Sequence, residues 1–233
     1  MVYVASDLHG CAVEDFEALL DRAGFREEDD LFVLGDVIDR GECGAELLLW
    51  LTQQPNVRFI LGNHEAMMLS CAFLFDEVTD ENLDNLTVDD LKRMNHWMRN
   101  GGGTTLAGLR KLLKQDPELV EGILDYLRDA PLYETVEAGG RKYILVHGGL
   151  GNFAPDKPLD SYSAHDFLWE RPSVDTVYYP DATVILGHTP TVCYGTEHRG
   201  RILRTATWIN IDAGAAMGCG PAVLRLDDLK EFY

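Results

Sequence analysis

Short apolar runs and longer amphipathic segments alternate over the first sixty residues of the chain. Runs rich in β-branched residues lie at 2–5, 31–34 and 57–61, and segments with apolar residues at helical spacing lie between them, at about 13–23 and 44–53. This order predicts strand, helix, strand, helix, strand. Because such alternation builds a parallel sheet covered by helices, we expect an α/β fold whose reactive groups gather at the carboxyl ends of the strands.

Helical periodicity replaces this alternation from about residue 66 to residue 130. A Met-rich segment reaches residue 75, an acidic linker follows at 76–84, and helices are expected at 88–99, 104–114 and 118–129. Thr87 and Asp90 have the spacing of a cap at the first of these helices, and the glycines at 101–103 interrupt the series. We expect a helical insertion lying over one side of the sheet, either as scaffold or as an element that selects the substrate.

The second half of the chain is rich in short strand patterns. They lie at 132–138, 142–146, 183–186, 201–204, 208–211 and 222–226. Runs of this length separated by turn residues favour antiparallel hairpins. The chain shows no internal repeat and no low-complexity tract, so we expect one domain over residues 1–233, with the helical insertion at about 66–130.

Overall charge limits the partners of this chain. Its 233 residues are 46% apolar, enough for a sizeable core, and carry 39 acidic against 20 basic side chains, a net charge of −19. This field repels phosphate backbones and anionic lipid headgroups, so we expect neither nucleic acid nor a membrane as partner. An anionic substrate would need positive charge supplied locally, by metal ions or a few arginines.

Cysteine usage and the N-terminus indicate the compartment. The five cysteines are scattered and include no CxxC pair, which argues against a disulfide framework and a thiolate zinc site. The N-terminus enters a strand pattern at once without the features of a signal peptide. The longest apolar stretch, at 67–75, is too short to span a bilayer. We therefore expect a soluble, cytoplasmic protein.

Polar side chains suited to metal binding follow five of the predicted strands. In chain order they are Asp7 and His9, Asp36, Asn63 and His64, His147, and His188. Each one alone would be an ordinary helix cap, turn residue or surface histidine. Together at one sheet edge they would repel one another or remain unpaired unless cations compensated them. The mixture of carboxylate, imidazole and amide favours Mn, Fe or Zn over Mg or Ca, and the number of donors indicates two ions.

The motifs in which these residues stand carry a resemblance. In order along the chain they read SDLHG, GDVIDRG, GNHE, HGG and GHT. This succession resembles the calcineurin-like metallophosphoesterases, and the intact GDVIDRG and GNHE are similar to the phosphoprotein phosphatase branch, particularly its bacterial and phage serine/threonine protein phosphatases. The resemblance implies a β-sandwich flanked by helices, with a βαβαβ metal-binding core, and covers the chain from Asp7 to about Asp212.

The resemblance also implies a role for each motif residue. Asp7 and His9 would bind one divalent ion and Asp36 would bridge both, with manganese the preferred metal and iron or zinc as alternatives. The second ion would be bound by Asn63, His147 and His188. Asp39 would hydrogen-bond His64, which would protonate the departing oxygen, and Arg40 would clamp the phosphate.

Further positions carry less specific expectations. Arg171, in a Trp-x-Arg segment similar to one in bacterial members, would be a second phosphate-binding arginine, or would instead pair with Glu170 or Asp166. Asp212 would support a ligand histidine. Cys11, close to the end of the first strand, is expected to be a small packing residue. Three histidines match no motif and are expected at the surface: His96, His165 and His198.

Three functions compete at this stage. The resemblance favours a phosphomonoesterase that hydrolyses phosphoserine and phosphothreonine in proteins by direct attack of a hydroxide bridging two metal ions. A dinucleoside polyphosphate hydrolase of the same fold is the alternative, and it would draw on basic groups of the insertion, namely Arg93, Arg99, Arg110 and Lys111. A non-catalytic binding module is less favoured because every expected ligand is present. The partner is accordingly a phosphoprotein or a small phosphoester.

Overall fold

Two five-stranded sheets form the centre of the computed structural model, which describes residues 1–76, 79, 82 and 84–233. From edge to edge the first sheet contains β10 (Lys230–Phe232), β9 (Val223–Arg225), β1 (Val2–Ala5), β2 (Asp30–Val33) and β3 (Val57–Phe59). The second contains β4 (Tyr133–Ala138), β5 (Arg141–Val146), β6 (Thr183–Leu186), β8 (Trp208–Asn210) and β7 (Leu203–Arg204). The predicted sandwich architecture is confirmed.

Both sheets mix parallel and antiparallel pairs. In the first, β1, β2 and β3 are parallel, as predicted, while β9 runs antiparallel to β1 and to β10. In the second, β4–β5 and β7–β8 are antiparallel, but β5, β6 and β8 are parallel to one another. The expectation of hairpins throughout this half is therefore wrong for these three strands. The connections 147–182 and 187–207 are long enough to return the chain to the same end of the sheet, which a parallel pair requires.

Side chains of the central strands alternate between two buried faces. In β1, Tyr3 and Ala5 pack in one apolar cluster with the helices, while Val4 packs in a second cluster between the sheets. In β5, Leu145 belongs to the cluster between the sheets and Val146 to a third on the outer face of the second sheet. Burial on both faces explains why these strands read as nearly continuous apolar runs.

Seven α-helices lie in the described part of the chain. They are α1 (Val13–Ala23), α2 (Gly44–Gln53), α3 (Asn63–Leu69), α4 (Val88–Arg99), α5 (Gly102–Leu113), α6 (Pro117–Arg128) and α7 (Ala164–Leu168). The predicted bounds of α1, α2 and α4 are confirmed, and Thr87 and Asp90 form the expected capping box. The short elements α7 and β10 were not predicted.

The insertion consists of α4 to α6 together with α3 from residue 66 onward, and its apolar side chains join the cluster on the outer face of the first sheet. The glycine run separates two helices as expected, but the break is at Gly101 alone, because Gly102 and Gly103 belong to α5. Gly101 adopts a left-handed conformation at φ 102°, and α5 begins at the next residue. The predicted acidic linker at 76–84 includes residues 77, 78, 80, 81 and 83, which lie outside the described residues. Among the described residues, no helix combines the length and apolar character needed to cross a bilayer.

Candidate metal centre and active site

The carboxyl ends of strands from both sheets converge at one place. Asp7 and His9 follow β1, Asp36 follows β2, Asn63 begins α3 after β3, and His147 and His188 follow β5 and β6; all six are buried. The backbone N–H of His188 donates to Asp7 Oδ2 at 2.9 Å, and His147 Nε2 lies 2.8 Å from Asn63 Oδ1. The structure thus brings together all six residues expected to bind metal.

Backbone strain is concentrated in the same loops. Eight non-glycine residues of the described chain have positive φ angles. Six of them are expected site residues, namely Asp7, His9, Asp36, Asp39, Arg40 and His188. Such conformations cost free energy for residues with a Cβ and persist where the surroundings enforce them, which is common at functional sites.

Asp36 lies at the centre of the cluster. Its Oδ1 is 3.3 Å from His147 Nε2, and its Oδ2 is 3.8 Å from both His9 Nε2 and His64 Nε2. Asp36 therefore belongs to two groups of possible ligand atoms, one with His9 and His64 and the other with His147 and His188. Since the two carboxylate oxygens face different groups, Asp36 is placed to contact two cations.

The donor atoms in this cluster fit divalent metal ions. His9 and His147 donate their Nδ1–H groups to the carbonyls of Ile38 at 3.0 Å and Leu34 at 2.7 Å, so Nε2 is the atom of each ring that faces the cluster and could bind a metal ion. Asp7 Oδ1 and His188 Nε2 are buried and have no hydrogen-bond partner in the described part of the chain. Buried polar atoms without partners are costly, and metal ligation would satisfy them.

The electrostatics of the cluster agree with that fit. Burial lowers the pKa of His9 to about 3 and that of His188 to about 2, which keeps both imidazoles neutral as ligands must be. Burial, together with the charge of Asp36, raises the pKa of Asp7 to about 6. Burial opposes a charged His147, yet the charge of Asp36 raises its pKa to about 10. The carboxylates thus attract positive charge strongly, in the place where cations would bind.

Glu65 is a buried member of the site to which the sequence assigned no role. Its Oε2 accepts the backbone N–H of Asp36 at 2.9 Å, and its Oε1 accepts those of Val37 at 2.9 Å and Ile38 at 3.3 Å. The carboxylate therefore fixes the loop that presents Asp36. Its presence in the GNHE motif, beside two residues with assigned roles, was the available signal.

His64 and Asp39 form the expected pair. His64 Nδ1 lies 2.6 Å from Asp39 Oδ2, which leaves Nε2 directed toward Asp36 and Arg40. The Arg40 guanidinium lies 2.8 Å from His9 Nε2 and 3.1 Å from His64 Nε2. Burial alone would lower the pKa of His64. The charge of Asp36 and the hydrogen bond to Asp39 act in the opposite direction and are stronger together, so the pKa is raised.

Arg171 reaches the site from the second sheet. Its Nη1 donates to Thr189 Oγ1 at 2.8 Å and approaches the carbonyl of His188 at 3.5 Å. No ion pair with Glu170 or Asp166 is present in the part of the chain that the structure describes, and Asp166 instead caps α7. Arg171 is exposed and lies beside a candidate ligand.

The remaining expected residues lie at or outside the margin of the cluster. Asp212 is buried, and its Oδ1 accepts the backbone N–H of Gly214 at 3.0 Å, but no hydrogen bond to a histidine is present among the described residues. His96 and His165 are exposed and His198 is half-buried. Cys11 is half-buried, and burial raises the pKa of its thiol to about 12. The basic residues of the insertion are all exposed: Arg93, Arg99, Arg110 and Lys111.

Comparison with known proteins identifies the family. The profile of the calcineurin-like phosphoesterases matches residues 1–204. The chain belongs to this family. Membership makes it a phosphoesterase and implies divalent metal ions at the centre, as the resemblance of the motifs predicted.

Individual relatives carry a more specific name. A protein of Chromobacterium violaceum is 33% identical over 99% of this chain and 94% of its own length, and one of Acidovorax sp. (strain JS42) is 31% identical over 64% of this chain. Both are named symmetrical bis(5'-nucleosyl)-tetraphosphatase. The chain spans only 44% of the Acidovorax protein. A solved structure with the provisional name of diadenosine tetraphosphatase shares the fold, with a TM-score of 0.62 and 18% identity over 99% of this chain and 90% of that one.

These names correct the expected substrate. The expectation of a phosphatase for phosphoserine and phosphothreonine in proteins is wrong, because relatives that match this chain are named for dinucleoside tetraphosphates. The physical reason is that metal ligands, an imidazole acid and a phosphate-binding arginine serve hydrolysis at phosphorus whichever group departs. The motifs therefore identify the reaction centre without identifying the substrate.

Proposed function

We propose that this chain hydrolyses dinucleoside polyphosphates, cleaving bis(5'-nucleosyl) tetraphosphates in the middle to give two nucleoside diphosphates. The observation that carries this proposal is the relative of that name, which matches 99% of the chain at 33% identity. The geometry supports it, since the converging strand ends form a centre suited to phosphoryl transfer.

Six residues would hold two divalent cations, with Asp36 between them. They are Asp7, His9, Asp36, Asn63, His147 and His188. Manganese is the proposed metal, with iron or zinc as alternatives, because the donors combine imidazole, carboxylate and amide groups. When bound, the ions would supply positive charge to the phosphoryl oxygens and acidify a water molecule.

The two arginines would bring the tetraphosphate to the centre. The net charge of −19 repels an anionic substrate, so local cations have to receive it. Arg40 extends from the first sheet and Arg171 from the second, and both approach the ligand cluster. A guanidinium presents paired donors that match phosphate oxygens.

Arg40 also links phosphate binding to the state of the histidines. Arg40 donates one hydrogen bond to His9 Nε2 and another to His64 Nε2. A metal ion on His9 Nε2 would occupy the lone pair that accepts the first, and a proton on His64 Nε2 would occupy the lone pair that accepts the second. Both events would free the guanidinium for the phosphate. Asp39 would hold the Nδ1–H of His64, and Nε2 would deliver its proton to the oxygen of the departing group.

The test compares substrates and identifies products. Metal-stripped protein is restored with Mn, Fe, Zn or Mg and assayed on diadenosine tetraphosphate and on a phosphopeptide panel, with products separated by ion-exchange chromatography. We expect ADP as the sole nucleotide product and kcat/KM at least about tenfold higher for the dinucleotide, a transition-state difference of about 1.4 kcal/mol.

Product identity is the stricter criterion. ATP with AMP would show cleavage away from the centre of the tetraphosphate and would contradict the proposal. Equal kcat/KM for phosphopeptides would contradict it as well. Asp36→Asn is the matched control, because it keeps the shape of the side chain and removes the charge that the two ions would share; its preparation should show no turnover of either substrate above that of contaminants.

A further inference from the structure

The Asp39 carboxylate is completely buried and is held by side chains of the helical insertion. Trp97 in α4 donates its indole N–H to Asp39 Oδ2 at 2.9 Å, and Thr105 in α5 donates its hydroxyl to Asp39 Oδ1 at 2.7 Å. The backbone N–H of Asp39 in turn donates to Thr105 Oγ1 at 2.9 Å. Both supporting side chains are themselves buried, at 0% and 1% exposure.

These contacts fix the orientation of the carboxylate. Oδ1 accepts from the threonine, while Oδ2 accepts from Trp97 and from His64 Nδ1 at 2.6 Å. A buried carboxylate is stable only when such donors replace water. Because donors engage both oxygens from different directions, the carboxylate cannot rotate without breaking at least one bond. Through its hydrogen bond to Oδ2, the imidazole of His64 is held in a fixed orientation as well.

The turn between α4 and α5 fits closely against the same loop. The backbone N–H of Arg40 donates to the carbonyl of Gly101 at 3.1 Å. A Cβ on Gly102 would lie 2.6 Å from the indole ring of Trp97, so only glycine allows α5 to approach the tryptophan this closely. The insertion and the loop that carries Asp39 therefore meet at hydrogen bonds and at backbone contact.

We propose that Trp97 and Thr105 are positioning residues for proton transfer, holding Asp39 so that His64 presents Nε2 to the departing oxygen. The insertion is thereby part of the catalytic apparatus as well as a cover for the sheet. This inference rests on the roles of His64 and Asp39 in the proposed function. Neither Trp97 nor Thr105 touches the place of the substrate, and both act through Asp39.

Loss of a positioning contact should slow the proton-dependent step and leave substrate binding intact. The effect should grow with the basicity of the leaving group, because a more basic oxygen needs its proton earlier in bond cleavage. A nucleoside diphosphate is a weakly basic leaving group, so the effect on a dinucleoside tetraphosphate should be small. Aryl and alkyl phosphate monoesters of graded basicity are therefore the appropriate kinetic probes.

The experiment uses Thr105→Val, Thr105→Ser and Trp97→Phe in the metal-loaded full chain. For the most basic leaving groups we expect kcat to fall about tenfold or more in Thr105→Val and Trp97→Phe, part of the 100-fold or larger contribution of a general acid, with KM unchanged. Thr105→Ser, which keeps the hydroxyl, should restore the rate. Matched controls are Thr52→Val and Trp50→Phe, whose side chains hydrogen-bond Leu49 within α2 and Glu17 in α1 and form no hydrogen bond with Asp39.

A second readout does not depend on activity. His64 Nδ1 lies 2.6 Å from Asp39 Oδ2, and the proton in this short hydrogen bond should give a downfield proton NMR signal in nitrogen-15-histidine-labelled protein. Thr105→Val should shift or broaden this signal, and Thr105→Ser should restore it. Circular dichroism identifies a variant that fails to fold, and the threonine pair decides the question if Trp97→Phe does so.

Two results would overturn the inference. One is an equal loss of rate for all leaving groups, and the other is an unchanged histidine signal in folded Thr105→Val. Failure of the proposed function is distinguishable, because protein that cleaves phosphate monoesters but not diadenosine tetraphosphate would leave the leaving-group and NMR results intact. Conversely, clean production of ADP by the unchanged protein together with either of those two results would remove only the positioning role.

Discussion

The strand-end loops and the helical insertion differ in how they are stabilised. The loops place charged residues in left-handed conformations and bury them, as at Asp7, Asp36 and Asp39. The insertion consists of regular helices that bury apolar side chains such as Leu109 and Leu127 and expose their charges. Strain and buried charge thus occur where the chemistry is proposed, and ordinary packing supplies the rigid support.

Hydrogen bonds to the backbone hold the loops in place. Glu65 accepts three backbone N–H groups, and Asp36 and Asp7 accept those of His64 and His188. The insertion contributes to the loops at a few points, mainly through Asp39. Substitutions in the two regions should therefore separate activity from stability, with loop changes lowering activity and most insertion changes altering stability alone.

His64→Ala should show the largest effect on activity. Removal of the imidazole deletes the proposed proton donor, so hydrolysis of alkyl phosphates should slow by about 100-fold or more, while p-nitrophenyl phosphate, whose leaving group barely needs a proton, should lose much less. Steady-state kinetics on both substrates measures the difference. The control is His165→Ala, an exposed histidine of α7. Equal losses on the two substrates would refute the role of His64 as a proton donor. His64 would then support the structure, as the residues of the insertion do.

Glu65→Gln should have the next largest effect. An amide cannot accept from backbone N–H groups at both of its ends, so one end would face the donor of Asp36 or Val37. We expect metal affinity to fall about 10- to 100-fold, as for other residues that orient metal ligands. Isothermal titration with Mn measures the change, and Glu46→Gln, an exposed acid of α2, is the control. Unchanged affinity would show that the Asp36 loop holds its conformation without Glu65.

The parts of the fold that local pattern determines were predictable. The bounds of β1, α1 and α2 follow from periodicity, and polar residues at strand ends identified the convergence of Asp36 with the candidate ligands. The parallel pairing of β5, β6 and β8 was missed because the direction of pairing depends on long connections and leaves no local signal.

The contacts of the insertion with the site were beyond sequence reasoning for a related reason. Trp97 and Thr105 fit the pattern of amphipathic helices, and the residue they hold lies 58 and 66 positions away. Substrate identity was missed because the motifs describe the reacting phosphorus, while the groups that distinguish a dinucleotide from a phosphopeptide lie outside them. The sequence motifs thus predicted the reaction centre that the family shares. The contacts of Trp97 and Thr105 with Asp39 became visible only in the tertiary structure.

Gly122→Ala gives the smallest expected effect, and setting it beside Gly62→Ala tests the comparison between the two regions most directly. Gly122 is exposed in α6, and a Cβ there would meet nothing within 4 Å. Gly122→Ala should therefore raise the free energy of unfolding by about 0.5–1 kcal/mol through helix propensity and leave kcat unchanged.

At Gly62 a Cβ would lie 2.4 Å from both the backbone nitrogen and Oδ1 of Asp36. Gly62→Ala should therefore destabilise the protein and weaken metal binding, because backbone cannot move aside as a flexible side chain can. Thermal unfolding and Mn titration of the two variants measure both quantities. If Gly62→Ala retained full metal affinity, or Gly122→Ala lost activity, the division between a strained reactive loop and a tolerant helical support would not hold.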